Sequence, residues 1–284
     1  VKTLIDEGAK YIITSGGSGM TMKAAEITIP SNVMLITGSS SSPKISDLND
    51  NDLVWRTVPS DAFQGRIAAV YMDSLKVRTA GIIYLDNPYG NELARMFREV
   101  FEKRRGKILA TAKIPDATNY QNLDFKSIVD AVFPSKPQLV YIIGYGEESA
   151  KVINTAKTYF SKDYRPQLLG CDANYNNDFL YGAEQSLIEG MQGFVYIHPQ
   201  NYANYQKFEK AFEEFQSKAS NDAAEMSATS LASLLGAVST NSYGATVYDA
   251  IYSIAYSILK AKSINPVDVA KQMREIANDN EGAT

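Results

Sequence analysis

Five short apolar runs in this chain each end in residues suited to holding a small polar molecule. Tyr11–Thr14 leads into Ser15-Gly16-Gly17-Ser18-Gly19, and Val33–Thr37 leads into Gly38-Ser39-Ser40-Ser41-Ser42-Pro43. Ala80–Leu85 is followed by Asp86-Asn87-Pro88-Tyr89-Gly90, Gln138–Ile143 by Gly144-Tyr145-Gly146, and Gln167–Gly170 by Cys171-Asp172-Ala173-Asn174. Serine hydroxyls and backbone N–H groups at a helix start suit an anionic oxygen such as a carboxylate. An aspartate suits an ammonium group, and a tyrosine offers an apolar face with a polar tip. Together these residues describe a cleft for a zwitterion.

The same residues fit bond-making chemistry poorly. A dinucleotide-binding turn needs G-x-G-x-x-G and an acidic residue about 20 positions later. Here Gly17-Ser18-Gly19 runs into Met20, Thr21 and Met22, and the next apolar run ends in Gly38-Ser39. A nucleophile elbow needs G-x-S-x-G, and Gly16-Gly17-Ser18-Gly19-Met20 fails at its last position. The single histidine, His198, is all that a serine hydrolase would have. One cysteine, Cys171, excludes an intrachain disulfide and a cysteine-based zinc site. His198 and Cys171 are read as structural; no enzyme activity, cofactor or metal is expected. A net charge of −4 lacks the basic footprint of a nucleic-acid binder.

The elements that must position these turns alternate. Strands are expected at Tyr11–Thr14, Val33–Thr37, Ala80–Leu85, Ile108–Lys113, Gln138–Ile143, Gln167–Gly170 and Gly193–Ile197. Helices are expected at Met20–Ile27, Asp61–Leu75, Asn91–Arg105, Leu123–Phe133, Glu147–Phe160 and Asn176–Tyr181. Short buried strands alternating with helices argue for an α/β fold of parallel sheets flanked by helices. From about Asn201 the pattern turns helical, with Asn201–Lys218, Val247–Ala261 and Pro266–Ala277; Pro266 suits a first helical turn. The Ser-, Ala- and Thr-rich interval Ser217–Ser242 reads as a short surface helix on which Met226, Leu231, Leu234, Leu235 and Val238 line one face. Five strands between Ala80 and Ile197 suffice for one sheet. The two before Asp61 do not, so one lobe is expected to be incomplete, its missing strands lying before Val1 and after Thr284.

Trp55-Arg56-Thr57-Val58-Pro59-Ser60-Asp61, followed by Gln64-Gly65, resembles the first interlobe crossover of the leucine/isoleucine/valine-binding-protein family. Asp86-Asn87-Pro88-Tyr89-Gly90, Gly144-Tyr145-Gly146 and Val247-Tyr248-Asp249-Ala250 resemble further signatures of that family. Its members are solute receptors of ABC importers with the type I periplasmic-binding fold. The resemblance runs from about residue 1 to 277 and is weakest over 217–242. It implies two lobes, residues 1–57 plus 199–284 and residues 58–198, closing on an amino acid or related small molecule. It also implies an ABC-transporter permease as partner and a periplasmic or membrane-anchored extracellular location. Ser18 matches the serine that holds the ligand carboxylate, and Ser39 and Ser41 match positions contacting the ligand's charged ends. Tyr89 and Tyr145 match aromatic contacts of the second lobe. Asp172 matches the acidic partner of the ammonium, and Tyr248 a tyrosine on a first-lobe helix. The chain departs from branched-chain binders at Ser39 and Ser40, where those carry small apolar residues, and at Asp172, which is shorter than the usual Glu.

Each residue also has a plainer reading. Ser18 caps a helix near Gly19, Ser39–Ser42 form a solvated turn, Tyr89 and Tyr145 pack at helix starts, and Asp172 caps Asn174–Tyr181. The same fold also serves ligand-sensing regulators, for amides, aromatic acids or other small solutes.

Overall fold

The computed structural model describes residues 1–117, 120–196, 202–222 and 242–278. The chain divides into two compact units. Unit 1 takes Val1–Ser41, Ile45–Pro59 and the described residues within Ile197–Thr284; unit 2 takes Ser42–Lys44 and Ser60–Tyr196.

Unit 1 opens with α1 (Lys2–Asp6) and holds a parallel sheet in the order β1 (Tyr11–Thr14), β2 (Met34–Thr37), β3 (Val54–Arg56). The third strand corrects the expectation of two strands before Asp61. Alternate residues of a strand face opposite sides, and β2 is buried on both. Leu35 packs with Ile12, Ala24 and Ala25 beneath α2 (Ser18–Thr28). Met34 and Ile36 pack with Ala250, Ile254, Val269 and Met273. The last four residues come from two helices entered after unit 2 and following a helix over Ala203–Asp222.

Unit 2 holds a five-stranded parallel sheet. Its strands are β4 (Thr79–Leu85), β5 (Lys107–Ile114), β6 (Leu139–Ile143), β7 (Gln167–Gly170) and β8 (Gln192–Gly193), in the order β5-β4-β6-β7-β8. The last strand is shorter than the expected Gly193–Ile197: it pairs with β7 through two residues, and Phe194–Tyr196 are outside regular structure. One face carries α3 (Asp61–Ser74) and α4 (Pro88–Lys103), where Phe97 lies 5.1 Å from Phe101 and 5.0 Å from Tyr141. Met72, Leu93, Ile82 and Ile143 fill the same core. The other face carries α5 (Phe125–Asp130) and α6 (Gly146–Ala156), with Ile83, Val140, Ile142, Val152 and Phe133 buried between. Two short helices, α7 (Asn177–Gly182) and α8 (Gln185–Ile188), precede β8.

The sheet order reverses between β4 and β6. In open parallel sheets, the strand ends at such a reversal diverge and leave a crevice. The C-terminal helices of unit 1 are α9 (Ala203–Asp222), α10 (Ser242–Ala261) and α11 (Pro266–Asn278). The helix expected through Met226–Val238, and His198, lie outside the described residues.

Candidate ligand-binding site

In unit 1, the turns after β1 and β2 are tied together. Ser39 Oγ and Ser40 Oγ both donate to the carbonyl of Gly16, at 3.0 and 2.7 Å. The Thr21 and Ser40 hydroxyls pair at 2.8 Å. Thr37 Oγ1 accepts the N–H groups of Ser39 and Ser40 at 3.3 and 3.1 Å. The turn after β2 is closed from the other side by Thr246 of α10, whose hydroxyl donates to the Gly38 carbonyl. Ser18, Ser40 and Ser41 are buried and Ser39 is half-buried. Ser18 is the first residue of α2, and Gly17 occupies the cap position without a side chain. Ser18 therefore does not cap the helix, whose first turn closes with the Met20 and Thr21 N–H groups donating to the Gly17 carbonyl at 3.0 and 3.1 Å.

Tyr248 packs among other aromatic rings. Its ring is 5.0 Å from Phe208 and 4.5 Å from Tyr252, in an aromatic row along α9 and α10, and it is 41% exposed. Thr246, two residues earlier, is the α10 side chain that reaches the serine turn.

In unit 2, the ends of β4, β6 and β7 converge. Asn87 caps α4 by accepting the N–H groups of Tyr89 and Gly90 at 3.1 and 3.0 Å. The helix it starts carries Pro88 in its first turn, where the missing N–H costs nothing. Tyr145 caps α6, whose Glu148 accepts the Tyr145 N–H. The rings of Tyr89 and Tyr145 are parallel within 9° at 5.7 Å. Burial pushes the Tyr145 hydroxyl above the usual tyrosine range, opposed by a hydrogen bond with Asn87.

Asp172 opens a short turn after β7 and is 2% exposed. Its Oδ1 accepts the Tyr89 hydroxyl at 2.7 Å and Gln64 Nε2 at 2.8 Å. Its backbone N–H donates to Gln64 Oε1 at 3.0 Å. Asn174 fastens the same turn to β6, donating to the Gly144 carbonyl and the Ser149 hydroxyl at 2.9 Å each. Asn176, not Asp172, caps α7. Burial, and then the Asp172 charge, push the Cys171 thiol up to about 12, which keeps it protonated and unreactive.

The structure thus groups Ser18, Ser39, Ser40 and Ser41 at strand ends of unit 1, and Tyr89, Tyr145 and Asp172 at strand ends of unit 2. Gln64, Asn87 and Asn174 are the polar residues that sequence reasoning left without a role. Gln64 had a signal: it lies one helical turn after Asp61 on the buried face of α3, followed by Ala68 and Met72. Among the described residues, no cluster of three or more His, Cys, Asp and Glu could hold a metal ion. None of the described helices is long and apolar enough to cross a membrane.

Residues 2–282 match the family described as receptor family ligand binding region. The Leu/Ile/Val-binding protein of Citrobacter freundii is 25% identical over 202 residues, which are 70% of this chain and 51% of that protein. The chain therefore spans about half the length of the curated relatives it matches. A leucine-binding protein from Thermotoga maritima superimposes with a TM-score of 0.76 at 20% identity, covering 96% of this chain and 71% of that one. A solute-binding protein of an ABC transporter from Rhodopseudomonas palustris, in complex with 3,4-dihydroxybenzoic acid, gives 0.70 at 16% identity, covering 95% and 67%. The parallel-sheet units, the strand-end turns and the match along nearly the whole sequence agree: the chain has the type I periplasmic-binding fold and belongs to the family described as receptor family ligand binding region.

Proposed function

We propose that this chain is the ligand-binding part of an extracytoplasmic solute receptor that closes two lobes on a small amino acid and delivers it to an ABC importer. The observation that carries this reading is the position of Asp172. It is a carboxylate at the end of β7, held by the hydroxyl of Tyr89, whose ring stacks on Tyr145 at the strand-order reversal. In this proposal Asp172 neutralises the ligand ammonium, the stacked tyrosines shape the side-chain pocket, and the turns containing Ser18, Ser39, Ser40 and Ser41 receive the carboxylate. Tyr248 belongs to the same proposal as a contact from α10. The binding partners named for the relatives support the solute class.

An aromatic carboxylate is a second reading, favoured by the Tyr89–Tyr145 stack and by the dihydroxybenzoate bound to the Rhodopseudomonas protein. A thermal-shift screen of the full-length protein separates the two. The twenty L-amino acids, benzoate and 3,4-dihydroxybenzoate are the probes. A ligand at 100 times its Kd stabilises by about 2.7 kcal/mol, so a melting rise of several degrees is expected with one or a few L-amino acids. A rise with the benzoates alone establishes the second reading, and flat curves from folded protein overturn both.

A further inference from the structure

We infer that Gln64 is the residue that positions Asp172 for the ligand ammonium, an inference that rests on the amino-acid reading above. Gln64 projects from α3 and is buried. Its amide meets three partners. Nε2 donates to Asp172 Oδ1 at 2.8 Å and to Asp61 Oδ1 at 3.1 Å, and Oε1 accepts the Asp172 N–H at 3.0 Å. The amide therefore grips Asp172 at both its backbone and its carboxylate.

The polarity of that grip is determined by its partners. Both carboxylate oxygens accept only and the Asp172 N–H donates only, so each end of the amide has one allowed identity. Asp61, on the same helix face one turn earlier, holds the NH₂ end in place. Tyr89 donates to the same Asp172 oxygen that Gln64 does. Two donors on one oxygen fix the plane of the carboxylate as well as its site. A buried charge also needs such donors to offset lost hydration.

No other residue type substitutes. Glutamate at position 64 supplies no donor and sets a third carboxylate beside Asp61 and Asp172. Leucine or methionine fills the volume but leaves two buried oxygens short of a donor. Asparagine is one methylene short of spanning both ends. Gln64 acts on the ligand only through Asp172, so its loss should fall on the ammonium and spare the rest of the ligand.

The test compares an amino acid with its desamino analogue on the full-length protein. L-leucine and 4-methylpentanoate are the first pair, followed by the pair for whichever L-amino acid gives the largest thermal shift. Isothermal titration is run on the parent, Gln64→Met, Gln64→Glu and Asp172→Asn. For both Gln64 variants, affinity for the amino acid is expected to fall at least tenfold while affinity for the desamino acid changes less than threefold. The ratio between the two probes should approach that of Asp172→Asn. If Gln64→Met is unfolded, Gln64→Glu, nearly isosteric, carries the comparison. If Asp172→Asn collapses the ratio and the Gln64 variants keep it, Gln64 is structural only and this inference is overturned while the amino-acid reading stands. If Asp172→Asn also keeps the ratio, or the parent binds no amino acid, the amino-acid reading fails and this inference falls with it.

Discussion

The rings of Tyr89 and Tyr145 stack at 5.7 Å from two different strand ends. Tyr89 follows β4 and Tyr145 follows β6, the neighbours between which the sheet order reverses. The pair joins two helix starts: Asn87 caps α4 beside Tyr89, and Tyr145 stands at the cap position of α6. Tyr145→Phe keeps the stack and removes only the hydroxyl, so it should cost about 1 kcal/mol or less. Tyr145→Ala removes both and should cost about 2 kcal/mol, below the roughly 3–5 kcal/mol of a fully buried ring. Urea unfolding measures both. Equal losses for Phe and Ala would show that the stack contributes nothing.

Gly38 has no room for a side chain. A Cβ there would stand 2.5 Å from Val247 Cγ2 and 2.8 Å from the Val247 nitrogen. Backbone is on one side of that contact, so the neighbour cannot rotate away. Gly38→Ala should destabilise by about 1–3 kcal/mol, which is roughly 2–4 °C of melting temperature per kcal/mol for chains of this size. Calorimetry should also report a weaker hold of α10 on the serine turn. An unchanged melting temperature would count against this packing.

Glu148 sets a pH dependence. It is buried, accepts the Tyr145 N–H, and its carboxyl is raised above its usual value of 4.5 by burial, with Glu147 and Asp116 pushing the same way. A carboxyl that holds its proton more tightly when folded contributes stability below the unfolded value and loses it as pH rises through the folded value. At neutral pH the ionised group is therefore a cost. Glu148→Gln keeps an acceptor for Tyr145 and removes the charge, so it should melt higher than the parent at pH 7. The advantage should shrink toward pH 4. A difference that stays constant across that range would contradict the assignment.

Buried parallel strands were the most legible feature, because a strand covered on both faces reads as a continuous apolar run. Leu139–Ile143 and Met34–Thr37 are of that kind. β3 escaped because Val54-Trp55-Arg56 is three half-buried residues at a sheet edge, with an arginine inside it. β8 was drawn too long because Gly193–Ile197 has strand composition while its pairing is limited to two residues. The start of α2 was hidden by the glycines around Ser18. Strand-end site residues were visible because short polar turns interrupt apolar runs. Gln64 was not, because its partner Asp172 lies 108 positions away and only the fold brings them together.

Ser40 offers the sharpest test of what the serine turns do. A hydroxyl has one proton. That of Ser40 goes to the Gly16 carbonyl at 2.7 Å, so in the 2.8 Å pair with Thr21 the threonine is the donor. The Ser39 proton also goes to Gly16, and the Ser39 and Ser40 N–H groups go to Thr37. In this arrangement neither the Ser39 nor the Ser40 hydroxyl donates to a ligand carboxylate, and the two serines serve to hold in place the turns that receive it. Ser40 acts by fastening the turn after β2 to the turn after β1. Ser40→Ala should then lower stability by about 1–3 kcal/mol, because it leaves the buried Thr21 hydroxyl without its acceptor. It should weaken binding of 4-methylpentanoate, a probe whose only charge is its carboxylate, by less than about threefold, or about 0.7 kcal/mol. Melting curves and titrations of the full-length protein read the two effects separately. A tenfold loss for this probe with unchanged stability would mean that the Ser40 hydroxyl turns from Gly16 to the ligand.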